Sequence, residues 1–138
     1  MALTHLLDMS AYVRAALHPE VAAILDPLAE RRQVGRCTMF EVEALYSARS
    51  QVALAQVRLQ QSFPLVATHQ ADWDRVIEIM VTLAETGRHR AAKIPDLIIA
   101  AVAERADLTV LHYDRDFEII ASVTGQPMHA VVPLGSLS

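Results

Sequence analysis

The chain has 138 residues, 53% of them hydrophobic, which favours one folded domain over residues 1–138 and argues against disorder. Its single cysteine, Cys37, excludes an intrachain disulfide, and no apolar run approaches the roughly 18 residues that a membrane span needs. The formal net charge of −4 argues against non-specific nucleic-acid binding. The amino terminus lacks the basic start and long apolar stretch of a signal peptide, so we expect a cytoplasmic protein without membrane association.

Short apolar runs alternate with stretches of helical periodicity in the first half of the chain. The runs predict a strand at 3–7, helices at 10–17 and 21–30, and a short extended piece at 34–37. Thr38 is a good N-cap for a helix that runs to about Arg49, and Glu41 would complete a capping box. A further helix is predicted at 51–62, followed by a strand at 64–67.

The second half opens with the strongest helical periodicity of the chain, from 70 to about 86. One apolar stripe is formed by Trp73, Val76, Ile77, Met80 and Leu83. Gly87 ends this helix, and a basic loop at 88–94 leads to a helix that begins at Pro95 and Asp96. That helix is apolar nearly all round, so we expect it to be central. A buried strand at 108–112, a helix at 114–123 and an edge strand at 128–132 complete the pattern.

The alternation of strands with helices predicts an α/β fold in which helices cover a parallel sheet. Ligands of such sheets bind beyond the carboxyl ends of the strands. Asp8 and Asp114 each stand just past the end of a predicted strand, and Asp96 and Glu43 lie in or near the first turns of helices. We therefore expect these carboxylates to reach one edge of the sheet.

Carboxylates that converge on one edge would bind a hard cation. Oxygen ligands favour Mg²⁺ or Mn²⁺, and such a site can polarise a phosphodiester and activate water. The net charge of −4 includes these four carboxylates and that of Asp116. If all five bind cations, the rest of the chain carries a net charge of +1, since five negative charges are then removed from the total of −4. The acidic total therefore does not exclude a nucleic-acid substrate, because bound cations would attract phosphate.

Each acidic residue also has a purely structural interpretation. Asp8 and Asp96 could cap helices, Asp114 and Asp116 could stabilise a turn, and Glu43 could be a solvated charge. As a set on a βα pattern, they favour a metal site more strongly than any one of them does.

Basic residues precede Asp96 on a predicted loop, and Arg88, Arg90 and Lys93 could hold an RNA backbone there. The alternative is a solvated loop that stabilises a helix carboxyl end. The six histidines are scattered along the chain, which gives little support to metal-free acid–base catalysis.

Four segments together resemble PIN-domain proteins, and more narrowly the VapC toxins of bacterial VapBC toxin–antitoxin pairs. They are LLDMS ending at Ser10, EALY from Glu43, IPDLIIAAVAE around Asp96 and LHYDRDF around Asp114. The resemblance covers essentially the whole chain and implies a PIN-like three-layer fold with a central, mostly parallel sheet flanked by helices. It also implies a Mg²⁺- or Mn²⁺-dependent endoribonuclease. The implied partners are an RNA substrate, a cognate VapB-like antitoxin and a second copy in a homodimer, within a larger toxin–antitoxin assembly.

The resemblance assigns catalytic roles to the acidic residues. The catalytic set is Asp8, Glu43, Asp96 and Asp114, with Asp116 as an additional or alternative acid. Asp8 and Asp96 would bind the metal directly, and Glu43 and Asp114 would bind through water or a second ion. Whether one or two ions bind stays open.

The resemblance also leaves local questions. Glu41 competes with Glu43 for the role of the helix glutamate. Ser10 matches a small hydroxyl residue beside the first acid, whereas His112 stands where the family often has Thr or Ser. The predicted helices at 12–28 and 52–59 are candidates for the groove that receives an antitoxin segment.

Two other classes of function fit less well. A phospho-acceptor receiver domain would need an acidic neighbour for Asp8 and a lysine after a late strand, whereas Lys93 precedes a helix. A catalytically silent RNA-binding module would not need the complete set of acids.

Overall fold

A parallel four-stranded sheet forms the centre of the computed structural model, which describes residues 2–53 and 63–137. The strands are β1 His5–Leu7, β2 Val34–Gly35, β3 Thr109–His112 and β4 Met128–Ala130. Their order is β2-β1-β3-β4, and all three pairings are parallel. The predicted α/β class, the parallel sheet and the edge position of the last strand are confirmed.

Six helices are defined within residues 2–53 and 63–137, and they flank this sheet. They are α1 Met9–Ala15, α2 Pro19–Glu30, α3 Thr38–Ser47, α4 Gln70–Ala84, α5 Ile94–Ala106 and α6 Asp116–Thr124. Each lies where the sequence predicted a helix. Residues 51–53 are helical, and the rest of the helix predicted at 51–62 lies outside the described residues. The strand predicted at 64–67 is reduced to one parallel bridge between Leu65 and Arg36. Within the described residues, no helix is both long and apolar enough to span a membrane.

The sheet separates two hydrophobic clusters because side chains alternate along each strand. Leu6 and Val110 face the cluster that includes α4, α5 and α6, and Leu7 and Leu111 face the cluster that includes α1 and α2. Residues 96–103 of α5 are all buried, as expected for a central helix. The result is the three-layer arrangement that the resemblance implies.

Two local predictions are wrong, and both concern segments in which a charged side chain is held by an ion pair. Helix α3 has Cys37 rather than Thr38 at its N-cap, and no side chain there makes a capping hydrogen bond. Glu41 lies with its Oε1 2.9 Å from Nε of Arg36, a residue of which only 7% is exposed. A buried guanidinium requires a counter-charge, so this pairing places Glu41 differently from a capping-box residue.

The buried face of α4 is rotated relative to the predicted stripe. Ile79 is fully buried, whereas Ile77 is 61% exposed and Trp73 is 39% exposed. Asp72 lies on the buried face because Arg105 of α5 donates a hydrogen bond to it at 2.8 Å. A charged residue cannot be assigned to a core face until its partner is known.

Candidate metal centre

The first acidic residue is fixed at the carboxyl end of β1. Leu7 pairs with Leu111 of β3, and the next amide, that of Asp8, donates a hydrogen bond to the Leu111 carbonyl at 3.0 Å. Asp8 is also the N-cap of α1, because its Oδ2 accepts from the amide of Ser10 at 2.9 Å. The helix-cap interpretation is therefore correct and does not exclude a site.

The other oxygen of Asp8 has no hydrogen-bond partner. Asp8 is only 3% exposed, and its Oδ1 is buried. Burial raises the pKa of this carboxyl, and the hydrogen bonds from Ser10 only partly oppose that effect. One carboxylate oxygen is thus held by the protein while the other is left for a ligand.

Asp96 lies in the first turn of α5, directly after Pro95, where the positive end of the helix favours an anion. It is 2% exposed, and its Oδ2 is buried without a hydrogen-bond partner. Burial raises the pKa of Asp96 to about 8, with further contributions from the charge of Asp8 and a hydrogen bond with Asp116. A nearby cation would relieve this penalty.

Glu43 lies on α3 and is half-buried, and its Oε1 has no hydrogen-bond partner either. Burial raises its pKa to about 7, and the charge of Asp8 adds to that shift. The structure therefore brings Glu43 to the acidic cluster, whereas Glu41 pairs with Arg36.

The three residues Asp8, Glu43 and Asp96 meet in space, with one carboxylate oxygen from each lying within 4.8 Å of the others. Only four buried side-chain polar atoms among the described residues lack a hydrogen bond, and three belong to this group. The fourth is Nε of Arg36, which already faces Glu41. Each of the three carboxylates that meet here thus has a buried oxygen without a hydrogen bond, which is unfavourable, so the donor set fits a hard divalent cation.

A second group of carboxylates consists of Asp96, Asp114 and Asp116, whose oxygens also lie within 4.8 Å of one another. Asp114 follows β3, and its Oδ1 accepts a hydrogen bond from the Asp116 amide at 2.9 Å. The two groups share Asp96. The structure thus gathers all five predicted acids, but it divides them into two groups.

Lys93 lies against the second group. Its Nζ is 2.8 Å from Asp116 Oδ2, 3.0 Å from Asp114 Oδ2 and 3.3 Å from Asp96 Oδ2. Its backbone amide also donates to Asp116 Oδ2 at 2.9 Å. Burial alone would raise the pKa of Asp116, but the hydrogen bonds from Lys93 lower it below its ordinary value. The sequence pattern predicted only a phosphate-binding role for Lys93, although its position three residues before Asp96 was a signal of this pairing.

Two further side chains fix the segment after β3. Ser10 Oγ donates to Asp8 Oδ2 and accepts from the Tyr113 amide at 2.8 Å. His112 Nδ1 accepts from the Asp114 amide at 3.1 Å, and burial lowers the pKa of this histidine to about 4. A neutral His112 can accept this bond throughout the physiological range. Here it holds the backbone of Asp114.

The other two basic residues that were predicted to hold an RNA backbone are exposed. Arg88 and Arg90 lie on the loop between α4 and α5 that leads to Lys93. A cavity of about 430 Å³ adjoins the acidic cluster, and its lining residues are Met39, Val42, Glu43, Tyr46, Ser47 and Pro95. Tyr46 is 93% exposed. The acids therefore border an apolar recess and a basic loop.

The structure pairs two histidines that the sequence left unpaired. His5 Nε2 lies 3.2 Å from His129 Nδ1. Burial lowers the pKa of His5, and His129 lowers it further. His5 is the first residue of β1, whereas the acids follow the carboxyl ends of the strands, so this pair is not part of the acidic cluster.

Comparisons with known proteins agree with this geometry. The family model for the PIN domain matches residues 6–123. Ribonuclease VapC21 of Mycobacterium tuberculosis is 45% identical over 99% of this chain and 99% of its own length. Ribonuclease VapC51 of the same species is 41% identical, also over 99% of both chains.

Solved structures share the fold at lower sequence identity. DNA-bound VapBC from Salmonella typhimurium contains a chain with a TM-score of 0.74 and 16% identity, covering 94% of this chain and 99% of that one. VapBC2 from Rickettsia felis, bound to a promoter DNA fragment, gives a TM-score of 0.73 and 15% identity, with coverage of 94% and 98%. These similarities establish the three-layer fold.

Proposed function

Because the chain belongs to the PIN-domain family, and within it to the VapC ribonucleases, we propose that it is an endoribonuclease that depends on Mg²⁺ or Mn²⁺ and acts as a toxin. The observation that carries the metal dependence is the set of three buried, unsatisfied oxygens of Asp8, Glu43 and Asp96. Buried carboxylates of this kind need a counter-charge to stay ionised. The similarity to named ribonucleases supports RNA as the substrate.

The chain's own residues define how such a reaction would be organised. Asp8, Glu43 and Asp96 would hold the ion, which when bound supplies Lewis-acid stabilisation of the phosphodiester and activation of water. Ser10 and the amino end of α5 keep Asp8 and Asp96 in position before substrate arrives. Attack of water on phosphorus would leave 5′-phosphate and 3′-hydroxyl ends.

The recess beside Glu43 supports a single-stranded substrate. Its apolar lining and the exposed ring of Tyr46 offer a surface on which an unpaired base can stack. Arg88 and Arg90, which are exposed on the loop that leads to Lys93, would contact phosphates of the RNA.

The metal-dependent reaction is tested with Asp96→Asn, which keeps the shape of the side chain and removes its charge. The matched control is Asp107→Asn, the same change at the other end of α5, where an exposed residue with a φ of 57° tolerates asparagine. We expect wild type and Asp107→Asn to cleave RNA with Mg²⁺ or Mn²⁺ and to stop when EDTA is added. Asp96→Asn should be folded and inactive, so retained Mg²⁺-dependent cleavage in this variant would contradict the assignment.

The toxin role implies a small VapB-like antitoxin as a partner. Helix α1 offers a surface for it, because cavities of about 340 Å³ and 260 Å³ adjoin this helix. Val13 is 42% exposed and Leu17 is 76% exposed beside the larger cavity. Of the two segments predicted for the groove, 12–28 includes this surface, whereas 54–59 lies outside the described residues.

Co-purification with the product of a neighbouring gene tests the partner. Leu17→Asp should weaken binding of the antitoxin and leave RNA cleavage by the free toxin unchanged, since Leu17 makes no contribution to the acidic cluster. Light scattering of the purified chain should show the mass of a homodimer, and the complex should be larger. Binding of the antitoxin that Leu17→Asp does not weaken would place the groove elsewhere.

A further inference from the structure

The two groups of carboxylates are not equivalent. Among the described residues, the unsatisfied buried oxygens all belong to Asp8, Glu43 and Asp96, and none belongs to Asp114 or Asp116. Asp114 accepts hydrogen bonds at both oxygens, one from the Asp116 amide and one from Lys93 Nζ. Asp116 Oδ2 accepts from the amide and from Nζ of Lys93. Lys93 thus supplies a counter-charge to the Asp114 and Asp116 side of the cluster, whereas Asp8 Oδ1 and Glu43 Oε1 are buried without a hydrogen-bond partner. Asp96, which belongs to both groups, lies between them.

We propose that Lys93 takes the place of a second metal ion, so that the chain binds one divalent ion, at Asp8, Glu43 and Asp96. This inference rests on the proposed metal dependence and decides the number of ions. Nζ contacts an oxygen from each of the three carboxylates of the second group at 2.8 to 3.3 Å. An ammonium group can donate three hydrogen bonds, so it occupies the position that a cation would take among these oxygens.

The placement of Lys93 reflects its attraction to these carboxylates. Lys93 is the N-cap of α5, where its side chain makes no capping hydrogen bond and a positive charge is repelled by the helix dipole. Attraction to three carboxylates offsets that repulsion. The backbone hydrogen bond to Asp116 holds the residue close enough for Nζ to reach all three.

Unlike a metal ion, the ammonium group of Lys93 is covalently attached to the protein. A second divalent ion would have to displace an ammonium group that cannot diffuse away and stays within reach of the same oxygens. The side chain is 60% exposed, so its head remains accessible to a phosphate at the edge of the cluster. The lysine therefore supplies a fixed positive charge beside the ion.

Counting Mn²⁺ ions tests the proposal without measuring cleavage. Isothermal titration and electron paramagnetic resonance should give one tightly bound ion per wild-type chain. Lys93→Met has nearly the same shape without the charge and keeps the backbone hydrogen bond to Asp116, so it should bind two ions. Lys93→Arg retains the positive charge and should bind one ion, as should the control Arg31→Met, which changes an exposed cation at the end of α2.

The possible outcomes separate this inference from the proposed function. One ion in wild type and two in Lys93→Met would support the inference. Two ions in wild type, or one ion in both proteins, would overturn it and leave the metal-dependent function intact. No bound ion in wild type would overturn both. Circular dichroism confirms that Lys93→Met is folded, and the wild-type count alone can refute the inference should that variant fail to fold.

Discussion

Ser10 Oγ donates a hydrogen bond to Asp8 Oδ2 and leaves Asp8 Oδ1 buried without a partner. The same hydroxyl accepts from the Tyr113 amide at 2.8 Å, so it joins the residue after β1 to the segment after β3. Asp114 is the next residue of that segment. A single hydroxyl thus orients one acid and positions the backbone that carries another.

Removal of this hydroxyl should therefore weaken metal binding. We expect Ser10→Ala to lower Mn²⁺ affinity about 10-fold, because side chains that hydrogen-bond to metal-binding residues in other metalloproteins contribute effects of this size. Titration calorimetry measures the change. The control is Ser122→Ala, because Ser122 Oγ donates only to the carbonyl of Ile119 on the surface of α6. An unchanged Mn²⁺ affinity in Ser10→Ala would mean that Asp8 is positioned without its help.

The two glutamates of α3 should respond in opposite ways to the same substitution. Glu43→Gln should abolish most cleavage and leave stability nearly unchanged, because it removes a buried charge that lacks a hydrogen bond. Glu41→Gln should retain cleavage and lower the free energy of unfolding by about 1–3 kcal/mol, because it leaves Arg36 without its counter-charge.

Urea unfolding and RNA cleavage of the two variants, measured side by side, check this prediction. Each variant is the control for the other, since the change is identical and the residues are two positions apart on one helix. Loss of cleavage in Glu41→Gln with a normal Glu43→Gln would reverse the assignment.

Much of the fold and the gathering of the acids followed from the sequence because both depend on local patterns. Parallel strands bring residues after their carboxyl ends to one edge, which is why Asp8 and Asp114 could be placed together. The wrong buried face of α4 and the unforeseen role of Lys93 both involve charged partners that are distant in sequence. Arg105 lies 33 positions after the Asp72 it binds, and Lys93 lies 23 positions before Asp116. Periodicity contains no information about such pairs.

Stability without metal should fall as the pH rises from about 7 to about 8. The folded chain holds a proton on Asp96 in this range, because its pKa is raised from 3.8 to about 8, whereas the unfolded chain has released it. The unfolded state then binds fewer protons, so the free energy of unfolding decreases by up to about 1.4 kcal/mol per pH unit. Glu43 acts in the same direction up to about pH 7.

Above pH 7 the titration of the histidines contributes little to the pH dependence of stability. The pKa of His112 is lowered from 6.5 to about 4, so below pH 6.5 its protonation favours the unfolded chain and opposes the effect of the acids. Urea unfolding in EDTA at pH 7 and pH 8 measures the decrease. This decrease in the free energy of unfolding should be smaller in Asp96→Asn. It should also be smaller when saturating Mn²⁺ replaces EDTA, because the ion stabilises the ionised carboxylates. A pH-independent stability in EDTA would contradict the raised pKa of Asp96.

The basic loop should contribute to RNA affinity rather than to the chemical step. Replacing Arg88 and Arg90 together by alanine should weaken RNA binding. The slope of log K against log salt concentration should become less steep by about 0.7 for each phosphate that is no longer neutralised. The turnover of bound RNA should stay the same, because neither residue belongs to the acidic cluster. Binding is measured by fluorescence anisotropy in the inactive Asp96→Asn background at several salt concentrations.

A matched control separates this local effect from a general change of charge. Arg31→Ala removes an exposed cation just before β2, at the opposite edge of the sheet from the acids, and should leave both affinity and salt dependence nearly unchanged. An equal decrease of affinity in Arg31→Ala would indicate that net charge alone governs binding. An unchanged salt dependence in the Arg88 and Arg90 variant would show that the loop does not touch the RNA backbone, which would restrict phosphate recognition to the bound ion and Lys93.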